Sequence, residues 1–380
     1  MECKKIIFSL GLLFSFLIVN AQLYTYPEDL RTGIPHNDDF TVRVRTKGGE
    51  WKETFEYKVQ VDMDKVQDAS MVQFDMGEPV EVMIKKNNGM IHSVDIRPKA
   101  KGIEYKLIEN CILFTLDKPQ YLSVEFNGDR LHNLHLFANP VQEEVYAQSE
   151  KDIMYFGPGT HKPADLPNNQ IRIPSNTTVY LAPGAVIEAK LLVDHAENVR
   201  IIGRGIIYHS IRGIEITDSK NVYIDGITVL NPDHYSIFGG GSENITVKNF
   251  KSFSCKRWSD GIDVMSCQQL DIENIFMRNS DDCLALYNHR WNWWGGTNHV
   301  NVRKAVLWAV VHPINIGGHG NPEAEGGENI ENLTFRDIDI LEQDEDDYPY
   351  QGCMAVVCGD KNMARNILFE DIRIESIQEG

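Results

Sequence analysis

Eight short segments beyond residue 150 share one frame, a polar residue followed by apolar-x-apolar. Thr178-Val-Tyr-Leu opens the series. Asn198-Val-Arg-Ile, Asn221-Val-Tyr-Ile, Asn244-Ile-Thr-Val, Gln269-Leu-Asp-Ile, His299-Val-Asn-Val, Asn332-Leu-Thr-Phe and Asn366-Ile-Leu-Phe follow at intervals of 20, 23, 23, 25, 30, 33 and 34 residues. A second short strand follows most of them after a turn, as in Gly226-Ile-Thr-Val-Leu, Asn249-Phe-Lys-Ser-Phe, Asn274-Ile-Phe-Met and Asp337-Ile-Asp-Ile. A repeat of this length without helical periodicity predicts stacked coils of parallel strand, each burying its apolar residues inside and sealing its neighbour. The leucine spacing of leucine-rich repeats is absent. The recurring Asn suits a turn, where it tolerates left-handed backbone and can hydrogen-bond to the next coil. Residues 149–380 are therefore expected to form a right-handed parallel β-helix, with Tyr180-Leu-Ala-Pro-Gly-Ala-Val-Ile-Glu-Ala in its first coils.

Residues 22–148 read differently. Phe40-Thr-Val-Arg-Val-Arg, Phe55-Glu-Tyr-Lys-Val-Gln-Val, Val80-Glu-Val-Met-Ile, Ser93-Val-Asp-Ile, Ile112-Leu-Phe-Thr-Leu and Tyr121-Leu-Ser-Val-Glu-Phe alternate apolar and polar residues between turns such as Lys47-Gly-Gly, Asn87-Asn-Gly and Asn127-Gly-Asp. That pattern predicts an antiparallel β-sandwich, so the chain is all-β. Tyr24, Trp51 and His92 read as packing residues. Leu134-His-Leu-Phe-Ala-Asn-Pro and the polar Gln142-Glu-Glu-Val after it mark the expected domain boundary. Residues 1–21 stand apart. Lys4 and Lys5 precede an apolar run from Ile6 to Val19, and Val19-Asn20-Ala21 supplies a small residue for cleavage, the pattern of a secretory signal peptide. The run is shorter than the roughly 20 residues a membrane span needs. The expectation is a secreted or periplasmic protein without a membrane anchor.

The formal net charge of −18 argues against nucleic acid and anionic membranes as partners, because such a surface repels phosphate. Six cysteines follow the leader without CxxC spacing, so no metal and no cofactor is expected. Cys353 and Cys358 are a candidate local disulfide, whereas Cys255, Cys267 and Cys283 read as buried thiols. Nothing in the composition bears on oligomeric state.

Chemistry concentrates in two segments, Ser259-Asp260-Gly261 and Asn279-Ser280-Asp281-Asp282-Cys283. Asp260 precedes Asp281 by 21 residues, close to one coil, which places the two on adjacent rungs about 4.8 Å apart along the axis. Neighbouring strand residues face opposite ways, so Asp281 and Asp282 can both reach solvent only at a turn or bulge. An Asp-Asp pair alone would read as a turn. With Asp260 one coil earlier it reads as a site, because glycosidic hydrolysis needs one carboxyl to donate a proton and another to activate water.

These segments resemble the glycoside hydrolases of the polygalacturonase family (family 28) and their β-helical relatives the dextranases (family 49), over roughly residues 170 to 375. The family pattern runs Asn-Thr-Asp-Gly, Asp-Asp-Cys-Ile-Ala, Gly-His-Gly and Arg-Ile-Lys. Trp258-Ser259-Asp260-Gly261 is similar to the first element, and Asp281-Asp282-Cys283-Leu284-Ala285 matches the second. Gly318-His319-Gly320 reproduces the third literally, but His312-Pro313-Ile314-Asn315-Ile316-Gly317 fits its place in the coil better, so His312 is preferred to His319. No Arg-x-Lys occurs in the last coils, where Gly352-Cys-Met-Ala-Val-Val-Cys stands. The resemblance implies inverting hydrolysis with Asp281 as general acid, Asp260 and Asp282 holding and deprotonating water, and His312 bonding a carboxylate or sugar hydroxyl. Inversion asks for about 6.5–9.5 Å between acid and base. The missing cationic pair and the acidic charge point to a polysaccharide or oligosaccharide that is neutral rather than uronic. A sandwich before the helix is similar to the dextranase arrangement.

The segment Asn288 to Gly296 looks like a loop inserted after the Asp-Asp strand. His289, Arg290, Trp291, Trp293 and Trp294 are candidates for sugar contact, because sugar rings stack on aromatic faces; Tyr235, His234 and His319 are further candidates. The tryptophans could instead cover the helix wall or an oligomer contact. Two other functions stay open. A polysaccharide lyase would need a base beside a uronate, and a non-catalytic glycan-binding β-helix would be favoured by carboxylates that point apart or lie buried.

Overall fold

The structure, a computed structural model, describes residues 23–26, 33–150, 152–162, 169–323, 328–344 and 352–377. The expected signal peptide lies outside the described residues. Among those described, no helix is long and apolar enough to cross a membrane.

The first part is a two-sheet sandwich. One sheet orders Leu23–Thr25, Gln67–Met76, Asp129–Pro140, Gln120–Phe126 and Val94–Arg97, with Tyr57–Val61 also paired to Gln67–Met76. The other orders Lys52–Glu53, Phe40–Thr46, Val80–Lys86, Cys111–Leu116 and Lys106–Ile108. Val42, Val44, Phe74, Val82, Ile84, Leu122 and Leu136 fill the space between them. Two long strands differ from the expectation. Gln67–Met76 was not evident in the sequence, and the supposed boundary Leu134–Pro140 belongs to a strand that pairs with it in parallel. Both are buried on both faces, which erases the alternation that marks a strand with one wet face. Val72, Phe74, Leu134 and Leu136 face the sandwich core, whereas Ala69, Met71 and Phe137 face the other way.

From Ile153 to Ile374 the strand pairings run in parallel and stack into a β-helix. Ile201, Ile224, Val247, Ile272, Val302 and Phe335 line its interior as one continuous core. The frame residues do what their side chains suggest. Asn198, Asn221, Asn244, Asn332 and Asn366 all have positive φ, between 56° and 60°. Four of these amides donate to the Asn one coil earlier, from Asn198 to Asn176 (2.9 Å), Asn221 to Asn198 (2.9 Å), Asn244 to Asn221 (2.7 Å) and Asn366 to Asn332 (3.2 Å). Gln269 and His299 hold the same left-handed turn.

The sandwich sits on the outer wall of the helix. Tyr57, Val59, Met71, Tyr121 and Phe137 pack against Leu230, Phe253, Phe276, Trp308 and Leu341. Buried cations lock the junction. Arg278 donates to the Asn133 side chain (2.8 Å) and the Arg130 carbonyl (2.8 Å) and lies over the Trp308 ring. Arg204 pairs with Asp75 at 2.9 Å. An interface this large and apolar makes the two parts one body.

All six described cysteines are free thiols. Cys255, Cys267 and Cys283 are buried, as read. The candidate pair is not bridged, because Cys353 packs into the helix core while Cys358 is exposed at a left-handed turn.

Candidate active site

One sheet of the helix stacks Lys190–Asp194, Ile214–Thr217, Ile237–Gly240, Ile262–Met265, Leu284–Tyr287, Ile314–Ile316 and Met354–Val356. The register pairs Ile237 with Ile262, Ile262 with Leu284, and Leu284 with Ile314. Two residues before each of these stand Tyr235, Asp260, Asp282 and His312, which therefore form a column across four successive coils. Backbone bonds carry the same register, from Gly261 N to Asp282 O (2.8 Å) and from Cys283 N to His312 O (2.8 Å). The residue over Asp260 is thus Asp282, 22 positions on, and Asp281 lies one step back in the bend. That bend lets both acids face the same side. Serines brace it: Ser280 Oγ donates to Ser254 O at 2.9 Å, and Asn279 Nδ2 donates to Ser254 Oγ at 3.0 Å.

Asp260, Asp281 and Asp282 bring one oxygen each within 4.8 Å of one another. Asp282 Oδ1 accepts from the His312 backbone N–H (3.1 Å) and pairs with its ring Nδ1 (2.7 Å), while Oδ2 accepts from Asn315 Nδ2 (2.7 Å) and Tyr287 OH (3.3 Å). Three oxygens so close would also suit a cation, but Asp282 commits both of its oxygens to these groups. Asp281 Oδ2 accepts from the Trp258 backbone N–H and Oδ1 from that of Asp282, both at 3.1 Å. Burial, and then the charge of Asp282, push the Asp281 carboxyl up to about 6 against the pull of these N–H groups and His312. Asp260 is raised well above the usual carboxylate range, first by burial and then by Asp263, Asp281 and Asp282. A second cluster, Asp194, His195 and Asp218, lies near the surface, where Arg172, Thr217 and Trp293 already bind its carboxylates.

The three carboxylates line a cleft of about 1140 Å³. The low exposure of Asp260 and Asp282 thus reflects depth in an open cleft and not core burial. Tyr235, His234, Arg290, His312 and His319 line it too. His319 sets its ring edge-on to Tyr287, and Arg290 Nη1 donates to Tyr235 OH at 2.9 Å.

The other loop candidates do not line the cleft. Trp293 fills the space left by Gly240 and Gly241, where any Cβ would collide with its ring. His289 stacks on Trp294, with ring centroids 3.5 Å apart, and Trp291 packs on Phe238 and the Arg290 guanidinium. For Trp293 the structure shows packing on the helix wall in place of a sugar platform, whereas Trp291 and Trp294 keep exposed faces away from the cleft lining.

Sequence reading missed several lining residues. Trp258, 58% exposed at the cleft mouth with φ +62°, stands where the family pattern carries Asn. Arg257 lies beside it with its guanidinium over the indole. Tyr287 and Asn315 lie inside segments already singled out. Met63 and Asp64 reach the cleft from the sandwich, which nothing local in their sequence signals. Asp263 is wholly buried behind Asp260.

The profile described as "Glycosyl hydrolases family 28" matches residues 189–380. "Exopolygalacturonase clone GBGE184" of Arabidopsis thaliana is 24% identical over 169 residues, 43% of this chain and 36% of that protein. "Probable endo-xylogalacturonan hydrolase A" of Neosartorya fischeri is 26% identical over 122 residues, 30% of this chain and 28% of that protein. The chain spans about a third of the length of the curated relatives it matches. Dex49A from Penicillium minioluteum shares the fold with a TM-score of 0.64 at 15% identity, over 92% of this chain and 80% of that one. The family profile covers just over half of the sequence, and on that ground the chain belongs to glycosyl hydrolases family 28.

Proposed function

We propose that this chain is a hydrolase acting outside the cytoplasm on a polysaccharide or oligosaccharide, cleaving O-glycosidic bonds with inversion through Asp281, Asp260 and Asp282. The observation that carries the reading is the convergence of three carboxylate oxygens within 4.8 Å in an open cleft. Asp281, the one held near 6, gives its proton to the glycosidic oxygen as the C–O bond breaks. Water held by Asp260 and Asp282 attacks the anomeric carbon from the opposite face and leaves its proton on that pair. The nearest-oxygen spacing is shorter than the roughly 6.5–9.5 Å usual between inverting carboxyls and lies nearer the roughly 5 Å of retaining ones. A retaining double displacement is therefore the second mechanistic reading, although nearest oxygens give only a lower bound on the separation of the groups.

A neutral glycan is the first substrate reading, since the last coils carry no Arg-x-Lys. A uronate-containing chain is the second, supported by Arg257 and Arg290 in the cleft and by the names of the two relatives. The test is incubation with neutral glucans and with polygalacturonate, following reducing ends and the anomeric configuration of the first product by NMR. Asp281→Asn should abolish turnover while binding and Tm are kept; a variant that still turns over removes Asp281 as the acid. An unsaturated uronate product would establish a lyase instead. Export is tested by the N-terminus of protein recovered from the medium or periplasm, expected at Gln22.

A further inference from the structure

Asp263 is a buried acidic group beside the site that this mechanism leaves unused. It sits in the strand Ile262–Met265, whose Ile262 and Val264 face the helix interior, so Asp263 faces outward, toward the site. In register it lies between Phe238 on the preceding coil and Ala285 on the next. It has no solvent exposure, and neither carboxylate oxygen has a hydrogen-bond donor. The polar group beside it is the carboxyl of Asp260. The other charged or titratable groups acting on the pair are Asp281 and Asp282, which repel it, and Arg290, which attracts it; Tyr235 and Tyr287 complete the surroundings.

An ionised carboxylate without a donor in a dry site is too costly to persist, so such a group keeps its proton. Two carboxyls can hydrogen-bond to each other only if one of them carries a proton. The shared bond itself raises Asp260 and lowers Asp263, but Asp260 lines the cleft and Asp263 does not, and the easier hydration of Asp260 outweighs that difference, so the charge of the pair settles on the member nearer water.

We propose that Asp263 is a positioning residue that stays protonated and donates to the inner oxygen of Asp260, leaving the charge on the outer oxygen that faces the attacking water. No proton is gained or lost in the resting site; during turnover the water proton arrives on Asp260 and leaves to solvent. The role in turnover rests on the hydrolytic reading above, but the proton itself does not.

The test compares wild type with Asp263→Asn and Asp263→Leu. The native pair keeps a proton that the unfolded chain releases near pH 4. The pair's contribution to wild-type stability therefore falls as pH rises above about 4, by linkage. An Asn amide donates to Asp260 without a titrating proton, so the Tm of Asp263→Asn should decline less between pH 5 and pH 8 and the gap should widen with pH. Parallel Tm curves overturn the proposal whether or not a substrate has been found. In turnover, Asp263→Asn should keep kcat within a few-fold while the similarly sized Asp263→Leu loses on the order of 100-fold with little change in KM. Equal activity of the two variants also overturns it. If Asp263→Leu does not fold, the Tm comparison with Asp263→Asn decides alone.

Discussion

His312 meets the same oxygen of Asp282 twice, donating its backbone N–H at 3.1 Å and placing its ring Nδ1 at 2.7 Å. The two residues stand in one column on successive coils, so the β-helix itself sets the distance. His312 thus holds Asp282 in the orientation that leaves it facing Asp260. A charge-assisted bond of this kind contributes about 1.5–3 kcal/mol. His312→Ala is expected to lower kcat by about 10–100-fold on that basis, with a smaller effect on KM. Steady-state kinetics check this, and a fall confined to KM would move His312 from orienting Asp282 to binding sugar.

The acid in this scheme must be protonated to act. Asp281 is raised to about 6 by burial and by Asp282, so kcat/KM should decline as pH rises through that value, and should also fall in acid once the water-activating carboxylates take up protons. A pH–rate profile measures it directly. An alkaline limb well above pH 8 would mean that another group donates the proton.

The β-helix was readable because its coil turns need left-handed residues, and Asn at 198, 221, 244, 332 and 366 announces them. The catalytic candidates were readable for a related reason. Asp260 and the Asp281-Asp282 pair lie at bends that open the strands of one sheet, and an interval close to one coil survives in the sequence. Register did not survive: the column places Asp282, not Asp281, over Asp260, a one-residue difference that only backbone pairing resolves. Asp263, Tyr287 and Asn315 sit at outward positions of strands, where a polar residue looks like any wet-face residue until the neighbouring coil is aligned. The long strands Gln67–Met76 and Asp129–Pro140 lost their alternation through burial on both faces. Met63 and Asp64 became part of the cleft only because the sandwich docks on the helix wall. The packing of Trp293 was not legible because its counterpart is a gap, Gly240 and Gly241, and a gap carries no chemistry to notice.

Trp258 gives the cleft its one large exposed aromatic face beside Asp281. Its left-handed backbone is costly for a bulky residue, and it aims the amide at Asp281 while the indole stays at the cleft mouth. Such strain is held where the surrounding structure uses it. Sugar stacking of about 0.5–1.5 kcal/mol predicts that Trp258→Ala raises KM by about 3–10-fold and that Trp258→Phe largely restores it. An unchanged KM in the alanine variant would remove Trp258 from substrate contact.

Lys251 tests the junction between the two parts of the chain. It is wholly buried, with its amine nitrogen 5.1 Å from the Tyr121 ring and 6.0 Å from that of Phe137, and no acceptor reaches it. Burial pushes its pKa well below the usual lysine value. The folded state therefore holds fewer protons than the unfolded chain, whose lysines titrate near 10.4. Stability tied to this residue accordingly rises with pH up to that value. At neutral pH folding must release a proton, which opposes it. Lys251→Met keeps the length of the side chain and removes the amine, so its Tm at pH 7 should lie several degrees above that of wild type. The gap should narrow as the pH is raised toward 10. A lower Tm for the methionine variant at pH 7 would show instead that Lys251 is charged in the fold and that attraction to the Tyr121 and Phe137 faces outweighs its burial.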